Sequence, residues 1–259
     1  MAGNFNTLRN IAKAAMDPAK AAVMINKVQR RLFDPKGDVS SAQHAAWLNE
    51  KAVPMDTFLS SRFDSALVSE AQALVARISE QSAKILSDIP HDLGGGGGIP
   101  LLYLVTRLRK PKVVVETGVA AGFSSASILA ALAANGDGHL YSSDFPYFRI
   151  ENPEQYIGVV VPQDVRDRWT LLVKGDAANV PQILSQIDHI DLLHYDSDKS
   201  YAGRQLVMGL AFVQMSDSGV VIMDDIQDNA YFHDFVKDHG FKDYSVISYD
   251  GKFIGYIQL

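Results

Sequence analysis

The sequence contains no cysteine among its 259 residues, so the chain forms no disulfide and offers no thiolate ligand to a metal. It has no apolar run of membrane-spanning length, and its first residues lack the apolar core of a signal peptide. From these absences we expect a soluble, cytoplasmic protein without stable membrane insertion.

Positive charge is also scarce, with 24 Lys and Arg residues against 30 Asp and Glu residues and a formal net charge of -6. Sequence-independent attraction to nucleic acid needs a positive surface, so we expect no nucleic-acid partner. The hydrophobic fraction of 47% is ordinary for a globular chain. A small or neutral substrate suits this composition better than a polyanion.

The positive charge that is present concentrates at the N-terminus, where the pattern is helical. Residues 1–36 place apolar side chains at near-helical spacing, which predicts one or two amphipathic helices with a break at Pro18. A basic amphipathic helix binds a membrane surface or a partner, or it packs on its own domain or on a second subunit, and we favour packing. The basic residues are Arg9, Lys13, Lys20, Lys27, Arg30, Arg31 and Lys36.

Five consecutive glycines at 94–98 follow a second helical stretch, 57–88, and divide the chain. We interpret residues 1–93 as a helical N-terminal extension that serves oligomerisation or acts as a lid, and residues 94–259 as the main domain. The glycine run is a hinge, or a mobile segment that closes over a ligand, or both. Helical extensions often build dimer contacts, so we expect a homo-oligomer.

Residues 113–125, V-V-V-E-T-G-V-A-A-G-F-S-S, predict a buried strand, a tight turn and a helix of small residues. Gly118 and Gly122 allow the backbone to turn sharply and a ligand to come close, while the first helical amides are left unpaired. The spacing E-x-G-x-x-x-G differs from the dinucleotide pattern G-x-G-x-x-G. The loop is a candidate site for a nucleotide-like ligand, and glycines that serve only packing are the alternative.

Four more strands are predicted at 139–143, 169–173, 190–194 and 219–223, and 244–249 with 252–258 predict a hairpin that turns at Asp250-Gly251. Ligands bind at the carboxyl ends of parallel strands, so the residues that follow each strand are candidates for the site. The segment 145–163 is a candidate substrate wall for the same reason. The strand-end residues are Asp144; Gly175, Asp176 and Ala177; Asp196 to Tyr201; and Asp224 with Asp225.

Asp196, Asp224 and Asp225 follow two strands that we expect to be neighbours. Three carboxylates held together repel one another, which gives a physical reason for a bound cation. Oxygen ligands indicate a hard divalent ion, Mg²⁺ first and then Ca²⁺ or Mn²⁺. In the alternative, Asp224 and Asp225 cap the next helix while Asp196 pairs with Lys199.

The order of these motifs over about 94–259 resembles the class I S-adenosylmethionine-dependent methyltransferases, and 113–125 resembles their motif I. The resemblance implies an α/β, Rossmann-like fold with a seven-stranded, mostly parallel sheet that ends in an antiparallel hairpin, here behind a helical N-terminal extension. It implies S-adenosyl-L-methionine as cofactor, with ribose at Asp144 and adenine at the Gly-Asp-Ala stretch. The implied cofactor residues are Glu116, Thr117, Gly118, Gly122, Ser124, Ser125, Asp144, Gly175, Asp176, Ala177 and Asp196.

The stretch D-S-D-K-S-Y at 196–201 is similar to one in the cation-dependent caffeoyl-CoA and catechol O-methyltransferases. Its frame also resembles that of the macrocin-type sugar O-methyltransferases, and Asp224-Asp225 resembles the acidic pair of the macrocin and cephalosporin-hydroxylase-like type. These resemblances imply Mg²⁺ at Asp196, Asp224 and Asp225, with Asp196 and Lys199 as catalytic residues. Burial would lower the pKa of Lys199 toward that of a base, whereas neighbouring acids would raise it. His194 and His233 are interpreted as structural.

Asp225 stands where the catechol type has Asn, so the site is net negative before substrate binds and suits a neutral hydroxyl such as that of a sugar. We therefore expect a Mg²⁺-assisted O-methyltransferase of a small hydroxylated molecule. The alternatives are a metal-independent methyltransferase with the same cofactor site and a non-catalytic, cofactor-binding interaction protein.

Overall fold

The structure is a computed structural model, and it describes residues 2–35 and 37–259. Of the basic residues named above, Lys36 and the side chain of Arg31 lie outside this description.

One sheet of eight strands forms the centre of the described chain. The strands are β1 Ala52–Pro54, β2 Val113–Thr117, β3 His139–Ser143, β4 Trp169–Leu172, β5 Ile190–Tyr195, β6 Met215–Met223, β7 Tyr244–Tyr249 and β8 Lys252–Gln258. Their order across the sheet is β1-β7-β8-β6-β5-β2-β3-β4, and β8 runs antiparallel to both of its neighbours while the other pairs are parallel.

Ten α-helices accompany the sheet within the described residues. They are α1 Ala2–Ala15, α2 Pro18–Phe33, α3 Ser41–Lys51, α4 Met55–Arg62, α5 Ser65–Leu86, α6 Ile99–Arg109, α7 Phe123–Asn135, α8 Asp176–Leu184, α9 Tyr201–Ala211 and α10 Tyr231–Asp238. None of these helices is long and apolar enough to cross a membrane.

The sheet is covered on both faces, which explains the continuous apolar run in β2. Val114 packs with α6 and α7 residues in one core cluster, and Val115 packs in a second cluster with residues of α8 and α9; both valines are fully buried. Successive side chains of a strand point to opposite faces, so both positions must be apolar here. The carboxyl ends of the parallel strands are left as the open edge.

The predicted fold is confirmed: the sheet is mostly parallel, it ends in an antiparallel hairpin, and helices precede it. The sheet has one strand more than the predicted seven, because the short β1 of the N-terminal part pairs with β7. The helical stretch expected at 57–88 is two helices, since Asp64 begins α5 by accepting a hydrogen bond from the Ala66 amide at 2.8 Å. Pro18 begins α2, at the predicted break.

The N-terminal part shares its core with the rest of the chain. Ala71, Leu74 and Ile78 of α5 belong to the same buried cluster as Val114 of β2. Residues 52–86 are therefore packed into the main domain, while α2 lies at the open edge of the sheet, as described below.

Candidate functional site

The loop after β2 brings three strand ends together. Gly118 has a φ of +85°, and a Cβ at this position would lie 2.4 Å from the Asp196 carbonyl oxygen. Its amide donates to the Ser143 carbonyl at 2.8 Å. Only glycine fits both the positive φ and the close backbone contact, so the ends of β2, β3 and β5 can meet here.

Gly122 has a φ of +102°, and a Cβ there would lie 2.7 Å from Val161 Cγ2 and 2.8 Å from Gly158 Cα. The second glycine of the motif thus packs the start of α7 against residues 158–161.

Asp144 holds this loop in place through its carboxylate. Oδ2 accepts hydrogen bonds from the amides of Val119 at 3.1 Å and Ala120 at 2.7 Å, and Oδ1 accepts one from Phe145 at 2.6 Å. Burial raises the pKa of Asp144 to about 6, although the three amides favour its charged form. Asp144 also lines the neighbouring cleft, so the residue that holds the loop lies at the candidate site.

That cleft has a volume of about 260 Å³ and lies at the carboxyl ends of β2 to β5. Of the predicted cofactor residues, Gly118, Asp144, Gly175, Asp176, Ala177 and Asp196 line it. The aromatic segment Phe145 to Phe148, from the predicted substrate wall, forms another side. Glu116, Thr117, Gly122, Ser124 and Ser125 are not among the described lining residues; Glu116, Thr117 and Ser125 are fully buried and Ser124 is 8% exposed.

Glu116 connects three strands beneath the cleft. Its Oε2 accepts hydrogen bonds from Ser125 at 2.5 Å and Ser142 at 2.8 Å, and its Oε1 lies 3.4 Å from His194 Nδ1. Burial opposes the charge on Glu116, but His194 and the hydroxyls outweigh it and lower its pKa. Burial likewise opposes charge on His194, and Glu116 raises its pKa overall. His194 therefore has a structural ion-pair position, while His233 lies 2.8 Å from Asp234 and edge-on to Trp47.

The Gly-Asp-Ala turn is fixed by a residue that sequence reasoning missed. Asn179 is fully buried and bridges the turn: its Oδ1 accepts from the Lys174 amide at 3.1 Å and its Nδ2 donates to the Leu172 carbonyl at 2.9 Å. Asp176 accepts hydrogen bonds from Ser143 at 2.7 Å and Ser197 at 2.6 Å. An Asn in the first turn of a helix was the available signal, since such side chains bond to nearby backbone.

Asp196, Asp224 and Asp225, the acidic trio, come together at the ends of β5 and β6 as predicted. Each offers a carboxylate oxygen, and these oxygens lie within 4.8 Å of one another. Lys199 contacts the trio directly: its ammonium pairs with Asp196 and lies 3.0 Å from Asp225 Oδ2. Lys252 Nζ lies 3.0 Å from Asp225 Oδ1. The pairing of Asp196 with Lys199, part of the alternative interpretation, is thus present.

The charges of this cluster differ from one carboxylate to the next. Burial alone would raise the pKa of Asp225, but the ammonium groups of Lys199 and Lys252 outweigh burial and lower this pKa to about 2. Asp224 has no ammonium within 4 Å among the described residues, and burial together with Asp196 raises its pKa to about 6. Burial disfavours the charge on Lys199, but Asp196 and Asp225 outweigh it and raise its pKa. Lys199 is therefore an ammonium in this arrangement and not a free base.

A buried arginine, also missed from the sequence, shapes the turn after β6. Arg204 of α9 is fully buried and donates to the carbonyls of Asp224 at 3.0 Å and Asp225 at 2.8 Å. Asp225 has a φ of +51°, a conformation that costs energy for a residue with a Cβ. Arg204 satisfies both carbonyls and so stabilises the turn that places the two acids.

Helix α2 closes the remaining side of the cleft, which the sequence did not predict as a specific contact. Val23, Asn26, Lys27 and Arg30 line it. Lys27 and Arg30 also line a second cavity of about 390 Å³, together with Lys199 and Asn229. The two cavities therefore meet beneath α2.

Residues 115–226 match the model of a family described as a methyltransferase domain. The fold is similar to that of the O-methyltransferase TomG from Streptomyces achromogenes, solved with S-adenosylmethionine, at 18% identity and a TM-score of 0.52 over 76% of this chain and 95% of that one. An O-methyltransferase from Bacillus cereus in complex with S-adenosylhomocysteine is 15% identical, with a TM-score of 0.52 over 82% of this chain and 98% of that one. No curated protein matches the chain.

Such low identities establish the fold alone, whereas the domain match covers the glycine loop, the Gly-Asp-Ala turn and the acidic trio. Residues 115–226 are therefore a methyltransferase domain, carried on the fold that these structures share.

Proposed function

We propose that the chain transfers a methyl group from S-adenosyl-L-methionine to a hydroxyl oxygen of a small molecule, with Mg²⁺ or another hard divalent cation held by the acidic trio. One observation carries the proposal: Asp196 lines the cleft and also belongs to the trio. A donor in the cleft would thus lie next to an acceptor held at the trio.

The cleft suits an adenosyl group in its shape and its polar atoms. Asp144 offers a carboxylate toward the ribose position, and Phe145, Asp176 and Ala177 surround the position proposed for adenine. The similar folds solved with S-adenosylmethionine or S-adenosylhomocysteine support this class of donor, and two of them are named as O-methyltransferases.

The donor set of the trio fits a hard cation, because three carboxylates supply only oxygen ligands at suitable mutual distances. A divalent cation bound there supplies Lewis-acid charge that lowers the pKa of a substrate hydroxyl. Lys199 would have to move away from Asp196 and Asp225 to open these ligands. A neutral, polyhydroxylated acceptor suits the site, since the acids already exceed the lysines in number.

In the transfer, the acceptor oxygen forms a bond to the methyl carbon as the bond from that carbon to sulfur breaks, and the hydroxyl proton leaves to a base or to water. Alignment of oxygen, carbon and sulfur accounts for much of the rate in such a displacement. Asp196 lines the cleft and Lys199 lines the second cavity, so these two residues would orient an acceptor oxygen that lies between the cavities. Lys199 serves as the proton acceptor only once it is released from the two acids that raise its pKa.

A metal-independent methyltransferase is the second candidate, and the ion pairs of the trio favour it. Lys199 and Lys252 already neutralise two of the three carboxylates, and a raised pKa allows Asp224 to be protonated. In that case Lys199 stands where a cation would otherwise be, and its ammonium stabilises the acceptor oxygen directly.

Calorimetric titration separates these candidates. We would titrate S-adenosylhomocysteine and, separately, Mg²⁺ into the wild type, Asp224→Ala and the control Asp228→Ala, whose acid lies outside the trio. The cation-assisted enzyme should bind both ligands, and Asp224→Ala alone should lose Mg²⁺ binding by at least about tenfold.

Binding of S-adenosylhomocysteine without any Mg²⁺ binding by the wild type would rule out the metal and favour the second candidate. If the wild type binds neither ligand, the donor assignment is wrong, and a non-catalytic role becomes the better interpretation.

A further inference from the structure

We propose that α2 covers the donor site. Its cleft-facing side chains Val23, Asn26 and Lys27 lie over the bound adenosyl group. The ion pair between Arg30 and Asp198 holds the helix in this closed position. The proposal rests on the donor assignment made above. It assigns a binding role in this chain to a helix that lies outside the matched domain, residues 115–226.

The orientation of α2 about its own axis supports the proposal. Positions 23, 26, 27 and 30 share one face of a helix, and all four side chains line the cleft. Ile25, Val28 and Leu32 lie on the opposite face and are 56%, 57% and 70% exposed. Burial of apolar area would favour the reverse orientation. The polar contacts made across the cleft hold the helix in this one.

The second support is that charged contacts fasten α2 along its whole length. Near its start, Lys20 Nζ lies 2.6 Å from Glu154 Oε1, and in its last turn Arg30 Nη1 lies 2.6 Å from Asp198 Oδ2. Just after its end, Asp34 accepts hydrogen bonds from the amides of Tyr201 and Ala202, the first residues of α9, at 2.8 and 3.0 Å. An acid at a helix N-terminus is favourably placed. Asp198 borders both the cleft and the second cavity, and Asp34 borders the second cavity, so these two contacts hold α2 over the site.

The third support is contact at the adenine end. Val23 Cγ2 and the Phe145 ring each lie 3.5 Å from the position that a Cβ on Gly175 would occupy, so the two side chains flank this glycine from opposite elements. The Lys27 ammonium lies 5.4 Å from the centroid of the Phe145 ring, within the range of a cation–π contact. A flat ring placed beside Phe145 and Ala177 would therefore have Val23 and Lys27 above it.

The arrangement has a kinetic consequence. With α2 in place the cleft is bounded by the strand ends below and the helix above, so the donor and its product must pass a displaced α2 to enter and leave. The side chains of Arg30 and Asp198 are 25% and 20% exposed, so their pair is partly protected from solvent. Breaking it should speed product release by about threefold to tenfold.

Two measurements on the full-length protein test whether α2 covers the bound donor. Hydrogen–deuterium exchange of 18–33 should slow when S-adenosylhomocysteine saturates the wild type. The dissociation rate of S-adenosylhomocysteine, followed by stopped-flow displacement, should rise in Arg30→Gln and Asp198→Asn. The matched control is Arg9→Gln, because Arg9 on α1 makes only a 4.0 Å contact with Glu151 and is 61% exposed; its rate should equal that of the wild type.

The charge-reversed pair Arg30→Asp with Asp198→Arg should return the dissociation rate toward the wild-type value, which a merely damaged fold would not do. If S-adenosylhomocysteine binds but hydrogen–deuterium exchange in 18–33 does not slow, α2 does not cover the donor site. The same follows if its dissociation rate in Arg30→Gln equals the wild-type rate. Either result leaves the donor assignment intact. Failure of the wild type to bind S-adenosylhomocysteine would overturn both.

Discussion

Asp144 is the residue whose ionisation we expect to control donor binding. Burial raises its pKa to about 6, so the carboxylate is charged above that pH and gains a proton below it. The charged form accepts hydrogen bonds from the loop amides, and from a ribose, more strongly than the protonated form does. The affinity for S-adenosylhomocysteine should therefore weaken by about tenfold between pH 7.5 and pH 5, measured by calorimetry.

Asp144→Asn provides the comparison, because an amide cannot titrate in this range. It should bind more weakly than the wild type at pH 7.5 and lose less affinity on acidification. An equal loss in both proteins would assign the pH dependence to other groups, such as Asp176, whose pKa burial also raises. Circular dichroism at pH 5 would show whether the fold is intact.

At the scale of a single element, the turn between β7 and β8 sets the hairpin. Asp250 and Gly251 have φ values of +51° and +75°, as a two-residue turn of type I′ requires. A Cβ at Gly251 would meet nothing within 4 Å, so Gly251→Ala should act through backbone strain alone. We expect it to lower the free energy of unfolding by about 1 kcal/mol, measured with denaturant.

The matched control is Gly209→Ala in α9, where a Cβ also meets nothing within 4 Å and no positive φ is present. This replacement should instead raise the free energy of unfolding by about 0.5–1 kcal/mol, because glycine is unfavourable within a helix. Effects of the same sign in both variants would contradict the explanation by backbone conformation.

For the whole molecule, the exposed apolar face of α2 has a consequence for assembly. Ile25, Val28 and Leu32 form an uncharged outer stripe, while Lys20 and Arg30 are paired with the body of the protein. We expect a second copy of this chain to pack face to face on the stripe, because that contact removes its apolar side chains from water. Sedimentation velocity should show a dimer for the wild type and a monomer for Leu32→Glu.

Val213→Glu serves as the control, since Val213 is 81% exposed but lies far along the chain from the stripe. It should leave the dimer unchanged. A wild type that stays monomeric at high protein concentration would contradict this assembly.

Much of the sheet was predictable because its signals are local. The boundaries predicted for β3, β7 and β8 agree with the structure, since each strand is a short β-forming run that turn residues delimit. The short β1 was not predictable, because three residues carry no periodicity and their partners in β7, such as Val246 opposite Ala52, are distant in the sequence. The candidate site followed from strand ends, but its detailed contacts did not: Asn179 and Arg204 act through backbone groups that only the folded chain brings near them.

The sequence by itself determined the fold class, the strand ends and the convergence of the acidic trio, because the carboxyl ends of neighbouring parallel strands must meet at one edge. Tertiary structure alone decided two matters. The first is the charge state of the site, since the pKa of Lys199 depends on how closely Asp196 and Asp225 approach it against the cost of its burial. The second is the position of α2 across the cleft, because ion pairs such as Arg30 with Asp198 join residues 168 positions apart, and no local pattern records such a contact.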